Sequence, residues 1–583
     1  MELSKDKSEI SEPNVLESAP ASRLRVGPPI WLRISVWTIA VIAGFLQTWS
    51  SKFFFSLMSD GNNYLDVASA YLRHDWPSAI NGWWSPMFSW ILGALIYLTK
   101  LPGYWETPMI HLVNLGAFWA SLLCFEFFFH TLLKQHFLEH IQIERRTWWL
   151  LGYSLFLSTS LYVLTLGFPT PDIWISAMSY LAAGIVVRIR GGDRRHATFA
   201  ILGVLLGLGY LFKSFFFPLS FIILLTAWFA TGALRKTLTQ FILALVVFSA
   251  VSAPFISALS RAKHRLTIGD TGRFAYFMFS ARAPQPPFWL GEHNTGLLKH
   301  PVRQLLTTPR LYEFATPLNA SYPPYYDMSY WMDGAAIHFS LRAQLAVLRQ
   351  SAGTYYQIWL EQIVFSVGLL ALAFALQRWS AFLSSLKKLW YVWLPSLFAC
   401  LGYSIVLTEG RYVASFVLIL WVSAFLAGIP SPGSLADRRF FRGVVLAICC
   451  VISVRIARSV VTDSIALHSS PAARENVDWE VAQDLRALGI LPGDRVAGIV
   501  IMGNAHWARL AGIRVVAEIP LGEELAFWSA DPALRHKVMD TFASTGARAV
   551  VAEAPPLFAD RAGWKQLQHT DYYVYLLGNQ GIR

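Results

Sequence analysis

About eleven separate apolar runs of membrane length, with charge confined to the stretches between them, leave this chain one broad solution: helices that cross a bilayer repeatedly. The runs lie near 31–50, 108–132, 148–167, 172–188, 197–212, 214–231, 238–258, 357–377, 389–407, 411–429 and 443–461. Only 14% of the 583 residues are charged, against 55% hydrophobic, too few for a water-soluble chain of this length. The net charge of +12 does not point to nucleic acid, because Lys and Arg gather in short loops between the apolar runs. Cys124, Cys400, Cys449 and Cys450 all fall inside apolar runs with no CxxC spacing, so neither a disulfide framework nor a thiolate metal site is expected. The first run is long enough to be an uncleaved anchor rather than a signal peptide.

Loop charge sets the topology. Arg23 and Arg25 precede the first run and Arg33 stands near its start, which puts residues 1–30 in the cytoplasm as a short tail. The stretch 86–100 (PMFSWILGALIYLTK) is also apolar, but its core is too short to cross and is expected to lie at the outer interface. With eleven crossings, Lys134, Arg145 and Arg146; Arg188, Arg190, Arg194 and Arg195; Arg235 and Lys236; Arg378, Lys387 and Lys388; and Arg438, Arg439 and Arg442 all face the cytoplasm. A twelfth crossing would turn every one of these clusters outward. The parity leaves three regions outside: 51–107, a large loop over 259–356, and the tail 462–583, with 31–461 as the membrane domain. The tail alternates helix-like DWEVAQDLRALGI with strand-like DRVAGIVIM, RAVVAEA and YYVYLL, and reads as a small α/β domain without a GxGxxG or P-loop.

The ionisable residues at the outer ends of the runs carry the chemistry. Asp60, in SDGNNY, stands just beyond the first run, and an outer position excludes the nucleotide-sugar and ATP pools. It would also serve as a plain helix cap, with Asn63 and Tyr64 in the first turn. Asp172 follows Pro-Thr-Pro where the third run ends, and capping is again the structural alternative. Lys213 lies in GLGYLFKSFFFP, either as a functional amine or as a snorkelling side chain. Arg411 sits in the turn LTEGRY, where it could pair with Glu409 or clamp a phosphate. Two outer carboxylates could bind a divalent cation, but no His stands near them. Carboxylates and cations collected at one surface suit an anionic lipid-linked substrate and a neutral hydroxyl acceptor. In the large loop, SYPPYYDMSYWMDG places Asp327, Tyr330, Trp331 and Asp333 together, as a sugar or acceptor site or as an ordinary aromatic loop core.

An acid in the first outer loop, WWSPMFSW, then TPD before a run, GLGYLFK, and a late GRY, in this order, resemble the membrane glycosyltransferases of the GT-C fold. The similarity is to the branch of protein O-mannosyltransferases, lipid A aminoarabinose transferases and their bacterial relatives. The resemblance implies a polytopic helical fold and a polyprenyl-phosphate sugar as donor. The acceptor would be a hydroxyl of a protein, lipid or glycan, and the setting the bacterial inner membrane with the tail outside. It makes Asp60 the catalytic residue and puts Asp172 beside the active site, with Asn63 in support. Lys213, Arg411 and Tyr64 are expected at the donor phosphate. Many relatives carry a second acid directly beside the catalytic Asp; here Gly61 follows, which argues against a metal-assisted version. Single displacement by one base predicts inversion at the anomeric carbon. A membrane transporter should place ionisable groups in mid-span, and a non-catalytic glycolipid-binding protein of this fold should tolerate loss of Asp60. Transfer of a whole oligosaccharide is an enzymatic alternative.

Overall fold

The computed structural model describes residues 27–54, 60–137, 145–280, 296–314, 316–376, 379–428, 435–501 and 504–578. Most of the expected cytoplasmic tail, with Arg23 and Arg25, and also Ser59 and His293 lie outside the described residues.

Each apolar run becomes a helix, because a buried backbone without water must bond within itself. In chain order these are Ile30–Trp49, Glu106–Phe137, Arg145–Ser158 continued by a π-helical turn Thr159–Leu164, Asp172–Arg190, His196–Phe212 and Phe216–Ala230. Leu238–Ala262, Ile363–Leu376, Trp390–Val406, Gly410–Gly428 and Leu435–Ser469 follow. Among the described residues, six helices are long and apolar enough to cross a membrane, or eight if two bent pairs each form one span. The difference from the expected eleven lies partly in short apolar helices such as His196–Phe212 and Phe216–Ala230.

The expected run 357–377 is broken. The helix Leu341–Glu361 meets Ile363–Ala375 at 76°. At the break, buried Gln362 donates its side chain to Thr159 Oγ1 at 2.8 Å and accepts from Trp421 Nε1 at 2.7 Å. A polar side chain held by two other helices fixes the corner, so the helix begins sixteen residues before the apolar run does.

The stretch 86–100 forms the helix Pro86–Thr99, opened by Pro at its first position and stopped by Lys100 in the left-handed region (φ 50°). Its inner face packs on the helix Asp60–Leu72, where Ser89 Oγ donates to the Tyr64 carbonyl at 2.9 Å. Its other face leaves Tyr97 and Leu98 exposed.

The large loop and the tail, expected as separate units, share one seven-stranded sheet. The loop gives the hairpin β1 (Arg303–Thr307) and β2 (Arg310–Glu313); the tail gives β3 (Arg495–Ile499), β4 (Arg514–Ile519), β5 (Ala549–Glu553), β6 (Lys565–Gln566) and β7 (Tyr572–Leu576). The order is β1-β2-β4-β3-β5-β7-β6, with β4, β3 and β5 parallel and the remaining pairs antiparallel. The parallel strands read as near-continuous apolar runs because helices cover both faces. Val496, Val515 and Val551 meet Val481, Leu485 and Trp507 on one side, and Ala497, Ile499 and Val550 meet Phe527, Val538 and Phe542 on the other. Trp83, Phe274, Tyr322 and Trp331 belong to the first of these cores, so the outer loops and the tail are packed as one body. The boundary expected at 461 also falls inside the continuous helix Leu435–Ser469.

The helices His196–Phe212 and Leu238–Ala262 approach closely at Gly203, where an added Cβ would lie 2.4 Å from the Ala244 carbonyl oxygen. Gly203→Val is expected to force these backbones apart and to cost about 1–3 kcal/mol. Thermal unfolding of the purified protein checks this, with Gly116→Val, where a Cβ meets open space, as the comparison.

Candidate active site

The helix Asp60–Leu72 starts at Asp60, as a capping role would require, yet the carboxylate does more than close a helix end. Its Oδ2 lies 3.4 Å from both Nη1 and Nη2 of Arg411, which stands at the start of the helix Gly410–Gly428. The Arg411 guanidinium also donates Nε to Glu409 at 2.6 Å and Nη2 to the Tyr412 hydroxyl at 3.2 Å, and places Nη1 3.7 Å from Asp172. A planar fork with five donors is the side chain that can face this many acceptors at once.

Asp172 opens its helix directly after Pro171. Its Oδ1 accepts from Lys213 Nζ at 2.6 Å and its Oδ2 from Thr170 Oγ1 at 2.8 Å. Lys213 ends the helix His196–Phe212 in an extended conformation, and the next helix starts at Phe216. The amine does not snorkel outward: it lies 3.5 Å from the centre of the Tyr412 ring and 5.7 Å from that of Tyr403. Tyr403 and Tyr412 stack on each other at 5.4 Å, so the cation rests on an aromatic floor.

Three carboxylates, Asp60, Asp172 and Glu409, therefore surround two cations. Asp172 and Glu409 each hold a cation at 2.6 Å, whereas Asp60 shares Arg411 at 3.4 Å. Of the three carboxylates, Asp60 has the longest ion pair. Burial pushes its carboxyl above the ordinary range, Glu409 and Asp172 add to the rise, and Arg411 opposes it. Tyr64, one turn along, has its hydroxyl pushed well up by burial and then by Asp60, so it is a neutral donor. Its ring packs against Trp84 and Phe88 at about 5 Å.

These groups open onto one cavity of about 580 Å³, lined by Asp60, Tyr64, Asp172, Lys213, Glu409 and Arg411, with mostly apolar walls that include Trp83, Phe215 and Met328. Asn63 is not among the lining residues; it is buried, and both its side-chain polar atoms lack partners among the described residues. Asp327, Tyr330, Trp331 and Asp333, expected at a sugar or acceptor site or in a loop core, are not among the residues that line the cavity. Asp327 caps a helical turn through Ser329 and pairs with Lys263 at 3.3 Å. Trp331 donates Nε1 to the Pro323 carbonyl at 2.9 Å, Tyr330 stacks on His300, and Asp333 pairs with Lys299. Aromatics and acids in that segment build the loop core and tie its turns.

Two features of the site had no signal in the sequence reading. Arg273 from the large loop joins the cavity wall and donates Nη2 to the Ala335 carbonyl at 2.9 Å. Behind Asp60, the same helix is gripped by the tail. Arg509 donates Nη1 to Asp66 at 2.8 Å, Nη2 to Ser69 at 2.9 Å, and Nε and Nη2 to Glu106 at 2.9 and 3.0 Å. Asn62 donates to Ser321 Oγ, and His506 Nδ1 lies 3.3 Å from Asn62 Oδ1.

As for a divalent cation, no group of three or more His, Cys, Asp or Glu among the described residues could hold a metal ion. Lys213 occupies Asp172, and Arg411 lies between Asp60 and Asp172.

Compared with solved structures, the chain aligns with ArnT from Cupriavidus metallidurans in the apo state at a TM-score of 0.53 and 12% identity, covering 93% of this chain and 97% of that one. The chain shares the fold of that structure. A second structure, the oligosaccharyltransferase of Archaeoglobus fulgidus in complex with Zn and sulfate, aligns at a TM-score of 0.47 and 13% identity, over 89% of this chain and 68% of that one. No protein-family model and no curated protein matches the sequence.

Proposed function

We propose that this protein is a membrane glycosyltransferase that moves a sugar from a polyprenyl-phosphate donor to an acceptor hydroxyl on the outer side of the inner membrane. The observation that carries the reading is Asp60: of three clustered carboxylates it is the most loosely paired, with its cation at 3.4 Å rather than 2.6 Å, and it faces an apolar-walled cavity that also holds Lys213 and Arg411. The fold shared with ArnT, a lipid A aminoarabinose transferase, supports it. The eleven-crossing topology, with the tail outside, belongs to the same reading.

In this mechanism the Asp60 carboxylate accepts the proton of the acceptor hydroxyl as the hydroxyl oxygen forms its bond to the anomeric carbon. The bond from that carbon to the phosphate oxygen breaks, and the lipid phosphate leaves with the electron pair. Lys213 and Arg411, which keep donors beyond those given to Asp172 and Glu409, stabilise the departing charge, and neutral Tyr64 can donate a further hydrogen bond. A phosphate leaves readily, so no second carboxyl has to act as acid. Asp172 holds Lys213 at the cavity wall.

Incubating membranes that contain the protein with a panel of polyprenyl-phosphate sugars tests the reading: one donor should be consumed with release of the polyprenyl phosphate. If none is consumed, the catalytic reading falls in favour of glycolipid binding.

The electrostatics add a pH expectation. Asp60 acts only when ionised, and its carboxyl titrates above the ordinary range, so transfer should rise with pH along an acid limb placed above that of an exposed carboxylate. Glu409→Gln removes a like charge and frees Arg411 toward Asp60. Both effects lower the Asp60 pKa, so the limb should move to lower pH. A pH profile of kcat for the two proteins reads this directly.

A further inference from the structure

The helix Leu238–Ala262 turns much of its surface outward, with Leu238, Ile242 and Val246 exposed. Between it and Phe216–Ala230 runs an open groove of about 730 Å³, walled by Phe217, Phe221, Phe248 and Ile256. One end of the groove closes on Arg261, His264 and Arg265. Its lining runs from Leu245 to Arg261, about 24 Å at 1.5 Å per residue, enough for an acyl chain of one leaflet. Ser252 lies in the groove lining, 1% exposed, and its hydroxyl has no partner among the described residues.

The charge at the end of the groove is unusual for its side. In the eleven-crossing topology proposed above, SRAKHR (260–265) is a cationic cluster on the outer face, whereas the loop clusters that fix the topology face the cytoplasm. Lys263 is used internally on Asp327, and Arg265 donates to Asp270 at 2.5 Å while keeping a third of its side chain exposed. Arg261 is exposed and has no carboxylate partner among the described residues. An apolar trough headed by unneutralised guanidinium matches one class of ligand in both halves: a lipid with an anionic phosphate headgroup.

We propose that this groove binds an anionic phospholipid of the outer leaflet, with one acyl chain along Phe217, Phe221 and Phe248 and the phosphate on Arg261 and Arg265. The site is separate from the cavity that holds Asp60; it rests on the eleven-crossing topology of the proposed reading and not on the catalytic role of Asp60. A zwitterionic lipid would bring its own cation to Arg261, and inorganic phosphate would leave the apolar wall unused.

Native mass spectrometry of the full-length protein, purified in an equimolar mixture of phosphatidylglycerol and phosphatidylcholine, tests the proposal. The wild-type protein should retain phosphatidylglycerol preferentially, and millimolar inorganic phosphate should not displace it. Arg261→Gln combined with Arg265→Gln should reduce retention at least about fivefold. Arg235→Gln, at the other end of the same helical segment, should leave it unchanged. Ala253→Trp fills the groove from an exposed position and should reduce retention without touching a cation, which keeps the test open if the double variant folds poorly. Equal retention of both lipids, loss to inorganic phosphate, or undiminished retention in Ala253→Trp would overturn it.

Discussion

Asp60→Asn should lower the rate of sugar transfer by about 10²–10⁴-fold while the protein accumulates and unfolds as the wild type does. Asparagine matches the carboxylate in shape and still accepts a hydrogen bond from Arg411, so the helix Asp60–Leu72 keeps its place. What it loses is the ability to take a proton. Donor binding rests on Lys213, Arg411 and the apolar wall, so KM for the donor should change far less than kcat. Asp172→Asn should behave differently. It removes the negative charge that pairs with Lys213 at 2.6 Å and so weakens the hold on that cation, so donor KM and kcat should both suffer. Steady-state kinetics of the two variants side by side separate a group that reacts from a group that positions.

The second large effect is on integrity. Arg509→Ala should destabilise the protein by about 3–5 kcal/mol, because it leaves two carboxylates buried without their cation. Asp66 and Glu106 keep only 7% and 16% of their side chains exposed, and Arg509 keeps 10%. Arg509 sits in the tail, Asp66 on the helix that begins with Asp60, and Glu106 at the head of the next long helix. The variant should therefore melt at lower temperature and expose the junction between tail and membrane domain to limited proteolysis. Adding Asp66→Asn and Glu106→Gln to Arg509→Ala should recover part of the loss, since the stranded charges are then gone. A triple variant no better than Arg509→Ala would mean that the ion pairs do not carry the junction.

The pattern of residues that sequence reading found and missed has a physical basis. Asp60, Asp172, Lys213 and Arg411 are legible because each is an ionisable group at the end of an apolar run, where a charge without a purpose is costly. Their convergence is a property of four chain segments, and only the order of the motifs hinted at it. The loop segment Ser321–Gly334 was ambiguous for the opposite reason: tyrosines, tryptophan and acids are what a sugar site needs and also what a small core needs, and here they pack inward. Arg509 and Glu106, 403 residues apart, carry no local signature of their pairing. The same holds for the hairpin β1–β2, whose partner strand β4 lies some two hundred residues downstream, beyond several helices. Helix ends also misled where a side chain decided the geometry: the corner at Gln362 depends on Thr159 and Trp421, which the apolar pattern does not register.

The account rests on a single displacement with Asp60 as its one base. The most direct measurement is the anomeric configuration of the first product formed by the purified protein from the donor it consumes, read by NMR before any further reaction. The account predicts inversion relative to the donor. Retention would require a covalent sugar intermediate or a different nucleophile, and would contradict it.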